Sequence, residues 1–240
     1  MNVNTLWVGR PPSLMVRKCV QSLKNTRLPI TVYGYRVGQL QRIFPEFEVR
    51  DASAVIPENE LFTYNTGSGK GSYAAFANLF RYKLLAEQGG WWVDTDVYCL
   101  RAFRFDAPYV LVSEPGKPGL LHNGIIKAPP GSPLMQRMVQ LASAADTKTM
   151  RWGTTGSKLL TTVVNRDFPA LKAYVVPAQV FCPVHWASVH KTRNAPQTIR
   201  LAPSTVAVHL FNEMWRRNGI DTNANYPLYS WLLGKEQTNG

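Results

Sequence analysis

Cysteine is scarce: Cys19, Cys99 and Cys182 are the only three in 240 residues, and no two of them form a C-x-x-C pair. That argues against a disulfide framework or a zinc cluster and suits a reducing compartment. Acidic residues are also few, 15 against 27 Lys and Arg, which leaves a formal net charge of +12. Long apolar runs are missing as well. No window reaches the ~18 uncharged apolar residues of a membrane span, and Met1 to Arg10 holds no basic segment followed by an apolar run of secretory length. A soluble, unprocessed, cytoplasmic protein is therefore expected, with room for a peripheral place on the inner face of a membrane. Repeats and low-complexity tracts are absent too.

The remainder is ordinary globular composition, 45% apolar and 18% charged, which excludes a disordered chain. A chain this long buries roughly 70% of its unfolded surface in one domain, so neither disulfide nor metal is required for folding. One domain over residues 1–240 is expected. Positive charge is concentrated at the start: Arg10, Arg17, Lys18, Lys24, Arg27, Arg36, Arg42 and Arg50 face only Glu46 and Glu48 in the first 50 residues. The imbalance points to an anionic partner, whether nucleic acid, a phospholipid surface or a phosphorylated small molecule, or else to a merely solvated basic face.

Apolar runs of strand length alternate with helical periods, the pattern of an α/β fold. Thr5–Val8 reads as a buried strand that stops at Gly9-Arg10-Pro11-Pro12. Ser13 reads as an N-cap, followed by a helix through Leu14, Met15, Val16, Cys19, Val20 and Leu23, and Ile30–Tyr33 as a second strand. A parallel β-α-β unit follows from that order. Residues 65–72, Asn-Thr-Gly-Ser-Gly-Lys-Gly-Ser, fail the P-loop pattern because Gly71 follows Gly69-Lys70, so they read as a mobile loop compatible with a lid. Further strands are expected at 109–112, 124–127, 173–176 and 205–210, and helices at 134–144 and 157–164.

The most informative stretch is 73–100. Phe76, Ala77, Phe80, Leu84 and Leu85 mark a helical apolar face, Gly89-Gly90 stops it, and Trp91-Trp92-Val93 runs as a buried strand into Asp94-Thr95-Asp96. Two Asp at i and i+2 on a straight strand point to one side, and at its C-terminal end they project into the crevice where open α/β sheets bind ligands. Carboxylates this close stay ionised together only with a cation nearby, and hard oxygen donors suit Mg²⁺ or Mn²⁺, which also hold phosphates.

In this context the chain closely resembles DXD-motif sugar transferases of the retaining, family 32 type, the capsular polysaccharide and α-glycosyltransferase kind. The matching residues are Ala77-Asn78-Leu79-Phe80-Arg81-Tyr82 followed by Gly89 to Asp96. Leu6-Trp7-Val8-Gly9 looks like that family's first strand, Asn123-Gly124 like its sugar-facing Asn, and Thr154-Thr155-Gly156 like its Thr-Gly turn. Ala207 to Trp215 is similar to its closing motif. The resemblance implies a GT-A-like single domain with a nucleotide-binding Rossmann-like sheet flanked by helices. Residues 1–100 would form the nucleotide-sugar half, and 101–240 the acceptor-binding and site-completing half.

The implied activity is a metal-dependent, retaining hexosyl transfer from a nucleotide donor, a UDP-sugar above all, to a glycan, glycolipid or other hydroxyl acceptor. By the same resemblance Asp94, Asp96, Arg81 and Asn123 are the candidate catalytic residues. Trp7 would stack on the base beside Val8, Asn78 would contact ribose or sugar where the family has Asp, Trp92 would touch the donor, and Trp215 would offer its indole N–H to the diphosphate. Asp94 and Asp96 would hold Mn²⁺ or Mg²⁺, with His209, Asn212 and Glu213 as alternatives for the last position. Arg81, one turn after Asn78, would fork onto sugar hydroxyls or phosphate. His122, His185 and His190 read as loop residues. Two rival readings remain at this stage: transfer onto modified bases in DNA, and a non-catalytic nucleic-acid-binding module with a decayed donor site.

Overall fold

The computed structural model describes residues 1–236, apart from the Ser68 side chain. Strand β1 (Val3–Leu6) is buried along its whole length and pairs in parallel with β2 (Ile30–Gly34). The connection is helix α1 (Leu14–Ser22), whose N-cap is Ser13, its hydroxyl accepting from the Val16 N–H at 3.4 Å. Met15, Val16, Cys19 and Val20 face inward while Arg17 is exposed. The β-α-β unit is thus as the sequence predicts, with one shift. Ladder pairing ends at Leu6, so Trp7 and Val8 leave the sheet at its edge, although the Trp7 N–H still donates to the Tyr33 carbonyl at 2.9 Å. Helix α2 (Val37–Ile43) then leads to β3 (Glu48–Asp51), an edge strand whose charges blunt it against further pairing.

Helix α3 (Ala74–Gln88) ends at Gly89, φ +64°, where a Cβ would come within 2.3 Å of the Pro130 nitrogen. Only glycine fits both the turn and that approach. Strand β4 (Gly90–Val93) follows, parallel to β1. Its period of two sends Trp91 and Val93 to one face and Trp92 to the other.

After β5 (Val97–Cys99) and β6 (Val110–Ser113) comes β7 (Leu121–Ala128), antiparallel to both β4 and β6. Helices α4 (Pro133–Ser143) and α5 (Ser157–Asp167), strands β8 (Val175–Val176) and β9 (Ala207–His209), and helices α6 (Asn212–Arg217) and α7 (Pro227–Leu233) complete the order. Among the described residues the main sheet has seven strands, β3-β2-β1-β4-β7-β6-β8, and β5 pairs with β9 in a second sheet of two.

Both faces of the main sheet are covered. Val3, Val32, Trp91, Val112 and Ile125 pack toward α1 and α2, whereas Leu6, Tyr33, Trp92, Leu111 and Ile126 pack toward α3, α4 and α5. Strands buried on both sides read as continuous apolar runs, which is why their order was legible. Direction reverses between β1-β4 and β4-β7, so the C-terminal end of β4 opens at a topological switch point. No helix among the described residues is long and apolar enough to cross a membrane.

Candidate active site

A cleft of about 370 Å³ opens at that switch point, lined by Trp7 and Val8 after β1, Ser72, Tyr73, Ala74 and Ala77 at the start of α3, Trp92, Asp94–Asp96, and Asn212 and Glu213 of α6. A second pocket of about 330 Å³ adjoins it through Trp7, Val8 and Tyr73, and adds Tyr35, Arg36 and Gln39. The Gly-rich loop borders the cleft at Lys70, Gly71 and Ser72. It is clasped there because Gly69 lies against Trp152, where a Cβ would come within 2.3 Å of the ring.

Asp94 and Asp96 sit in the turn that joins β4 to β5, closed by the Val97 N–H on the Asp94 carbonyl at 3.1 Å, and not on a straight strand as the sequence suggested. The turn still brings both carboxylates to one place. Asp94 Oδ1 accepts from Arg81 Nη2 at 2.8 Å and from Trp92 Nε1 at 2.7 Å. Asp96 Oδ1 lies 2.9 Å from His209 Nε2, and its Oδ2 accepts from the Asn212 N–H at 2.7 Å. Burial opposes the Asp96 charge, but His209 and the Asn212 N–H outweigh it and hold the carboxyl below its ordinary pKa. Ligand atoms of Asp94, Asp96 and His209 all lie within 4.8 Å of one another. Two hard oxygen donors with room for further ligands fit Mg²⁺ or Mn²⁺, and His209 orders one of them.

Behind Asp96 a polar chain runs inward. His209 Nδ1 lies 2.9 Å from His122 Nε2, and His122 Nδ1 lies 3.0 Å from Glu114 Oε2. Burial disfavours a charged His122, but Cys182 and Glu114 outweigh it and raise its pKa to about 9. Burial would likewise raise Cys182, yet the facing histidines lower it. Phe211 stacks on His209 with ring centroids 3.9 Å apart and holds φ at +51°, a strained backbone for a bulky side chain.

Residues 19–114 match the family model described as "Glycosyltransferase sugar-binding region containing DXD motif". Over that stretch the chain is similar to the sugar-binding region of DXD-motif glycosyltransferases. The matched stretch runs from within α1 to just past β6 and includes Asp94 and Asp96. None of the curated proteins matches the chain. Among solved structures, the chain is similar to "PaToxG Glycosyltransferase" at 13% identity and TM-score 0.52, covering 98% of this chain and 83% of that one. It is similar also to "Crystal structure of the UDP-bound glycosyltransferase domain from the YGT toxin", at 10% identity and TM-score 0.51, covering 85% and 87%. At those identities the likeness establishes the fold, the GT-A-like architecture expected from the motifs.

Around the cleft the expected residues fall into three groups. Trp7, Val8, Trp92, Asp94 and Asp96 line the cleft. Arg81 reaches it too, but its guanidinium is engaged by Asp94, by the Asn123 carbonyl and by the Ala77 carbonyl at 3.3 Å. In the structure it fixes Asp94 from the side of α3. Asn78 and Asn123 lie just beneath the floor in a closed network: Asn123 Nδ2 donates to Asn78 Oδ1 at 2.8 Å, Asn78 Nδ2 to Thr155 Oγ1 at 3.2 Å, and Ser157 Oγ to Asn123 Oδ1 at 3.0 Å. Asn at 78 suits this role, because its amide both donates and accepts there.

Trp215 is a correction. It is fully buried and its indole N–H donates to the Leu210 carbonyl at 2.8 Å, so that proton does not face a diphosphate. Asn212 meets Asp96 through its backbone N–H, and Glu213 pairs with Arg216 and Arg217, at 2.7 and 2.8 Å, outside the carboxylate–imidazole cluster. His209 is the one of the three alternatives that the fold brings to both carboxylates. His122 was expected in a loop, but lies in β7, which starts three residues earlier than predicted. Glu114, His122 and Cys182 escaped the sequence reading because no local spacing links them.

Proposed function

We propose that this chain is a metal-dependent glycosyltransferase that moves a sugar from a UDP-sugar to an acceptor hydroxyl with retention of anomeric configuration. The observation that carries the reading is the convergence of Asp94, Asp96 and His209 within 4.8 Å at the floor of a cleft whose rim is Trp7. Asp94 and Asp96 would hold Mn²⁺ or Mg²⁺, and the bound ion would supply neutralising charge for the nucleoside diphosphate as the glycosidic bond breaks. The chain's own residues prepare that site. Arg81 and Trp92 aim Asp94, while His209 and the Asn212 N–H aim Asp96. Such fixed, partly dry donors cost no reorganisation when charge develops.

Trp7 borders both pockets, and its indole N–H is anchored on the Arg10 carbonyl at 2.8 Å, which pins the ring as a stacking face. The adjoining pocket, with Tyr35 and Gln39, is assigned to the nucleoside, and the wider cleft to diphosphate and sugar. In this reading residues 1–100 bind the donor, and 101–240 complete the site and receive the acceptor, a glycan or glycolipid hydroxyl. Of the eight early basic residues, seven are exposed and Lys18 is half-buried, which supports contact with an anionic membrane surface.

The experiment is nucleotide release from UDP-, GDP- and CMP-sugars with Mn²⁺, Mg²⁺ or chelator, the product anomer being read by NMR. Metal-dependent UDP release with a retained anomer is expected. Release indifferent to chelator and to Asp96→Ala would overturn the metal site, an inverted product would overturn retention, and salt-resistant tight binding of duplex DNA would move the acceptor to nucleic acid.

A further inference from the structure

The inner end of the histidine chain presents a problem of proton counting. His122 Nε2 and His209 Nδ1 face each other at 2.9 Å. Their outer nitrogens face carboxylates: His122 Nδ1 lies 3.0 Å from Glu114 Oε2, and His209 Nε2 lies 2.9 Å from Asp96 Oδ1. An ionised carboxylate only accepts, so both outer nitrogens carry hydrogen. A neutral imidazole has a single N–H, which leaves two lone pairs directed at one another across 2.9 Å. Either a proton or a metal ion can bridge that gap. Beside the two nitrogens lies the Cys182 sulfur, and the three ligand atoms all fall within 4.8 Å of one another. The cluster is shut away from solvent, with Cys182 1% and each histidine 4% exposed.

We propose that His122 Nε2, His209 Nδ1 and Cys182 Sγ form a second metal site, for a thiophilic divalent ion of the Zn²⁺ type, separate from the donor ion at Asp94 and Asp96. Nitrogen and thiolate donors select zinc over Mg²⁺ or Mn²⁺. Each histidine also has what a ligating imidazole requires, a carboxylate on its other N–H that fixes tautomer and ring orientation. Glycine at 124 keeps the neighbouring space clear, since a Cβ there would lie 2.6 Å from His122 Nε2 and 2.7 Å from Asp94 Oδ2.

The ligands come from β7, from the turn after residues 178–180 and from β9, so the ion ties three separate segments together directly under Asp96. His209 would meet this ion through Nδ1 and leave Nε2 toward Asp96, so that the two ions share no ligand. Binding releases the proton held between the rings, and the thiol proton where present. The inference does not rest on the glycosyltransferase reading.

The test is Co²⁺ titration of the full chain, stripped of metal, followed by near-ultraviolet absorption. One equivalent should bring up an intense thiolate-to-cobalt charge-transfer band that Zn²⁺ abolishes, and Zn²⁺ should raise the melting temperature. Cys182→Ser should remove the band and leave Mn²⁺-dependent UDP binding intact. Glu114→Gln, a gentler change, should weaken Co²⁺ binding by about 10- to 100-fold. Absence of the band in the unaltered protein would overturn the site and leave a proton between the rings, and so would its persistence in Cys182→Ser. Neither outcome touches UDP binding, which tests the donor site alone.

Discussion

Asp94 and Asp96 stand two residues apart and are held by different parts of the molecule. Asp94 is fixed by neighbours in its own motif, Arg81 thirteen positions earlier and Trp92 two positions earlier. Asp96 is fixed by His209 and Asn212, 113 and 116 positions later, which reach it because β9 pairs with β5 immediately after the turn. One carboxylate is therefore set by local sequence and the other by tertiary closure. A site built this way is complete only once the last third of the chain has folded against the middle third.

The largest effect should come from Asp96. Its replacement by Ala removes the acid on which both His209 and Asn212 converge, and metal-dependent UDP release should fall on the order of a hundredfold or more, equivalent to several kcal/mol of lost charge stabilisation. Arg81→Met should act on stability first. It leaves a largely buried carboxylate without its cation, Arg81 being 4% and Asp94 25% exposed in side chain. The cost should be about 3 kcal/mol, seen in a thermal melt as a fall of roughly 6–12 °C.

Trp92→Phe sharpens the contrast, since it keeps the ring in the Phe80 cluster and deletes only the N–H on Asp94. Mn²⁺ affinity measured by calorimetry should drop about tenfold, in line with a charge-assisted hydrogen bond of about 1.5 kcal/mol, and stability should change little. The smallest effect belongs to a carboxylate outside the cleft. Arg166 and then Arg137 hold Asp167 down to a pKa of about 2. Because that value is depressed, its contribution is present above the unfolded pKa of about 3.9 and is lost as pH falls toward about 2. Asp167→Asn should remove that acid-side slope from melts taken between those pH values and leave UDP binding unchanged.

What the sequence disclosed follows the same division. The β1-α1-β2 unit and the run from α3 through Gly89-Gly90 into β4 were readable because period, cap and stop lie within a few residues of each other. With them came Trp7, Trp92, Asp94 and Asp96 as cleft residues. Strand β3 left no trace because Glu48, Arg50 and Asp51 give it no apolar alternation, and α2 is only 7 residues long. His122 and His209 meet across 87 positions, and Cys182 joins them only because the Phe181 carbonyl accepts from the His209 N–H at 3.0 Å. Trp215 misled for the opposite reason. Its place in a familiar-looking closing motif suggested a ligand, whereas the core around Met15, Leu210 and Tyr229 claims the ring.

The central claim is that the Asp94–Asp96 turn binds a nucleotide diphosphate through a metal. Its most direct test is calorimetric titration of UDP into the protein with Mn²⁺, into the protein with chelator, and into Asp96→Ala with Mn²⁺, each variant first shown to be folded. The account predicts binding in the first titration alone. Equal UDP affinity in all three, or none in any, would contradict it.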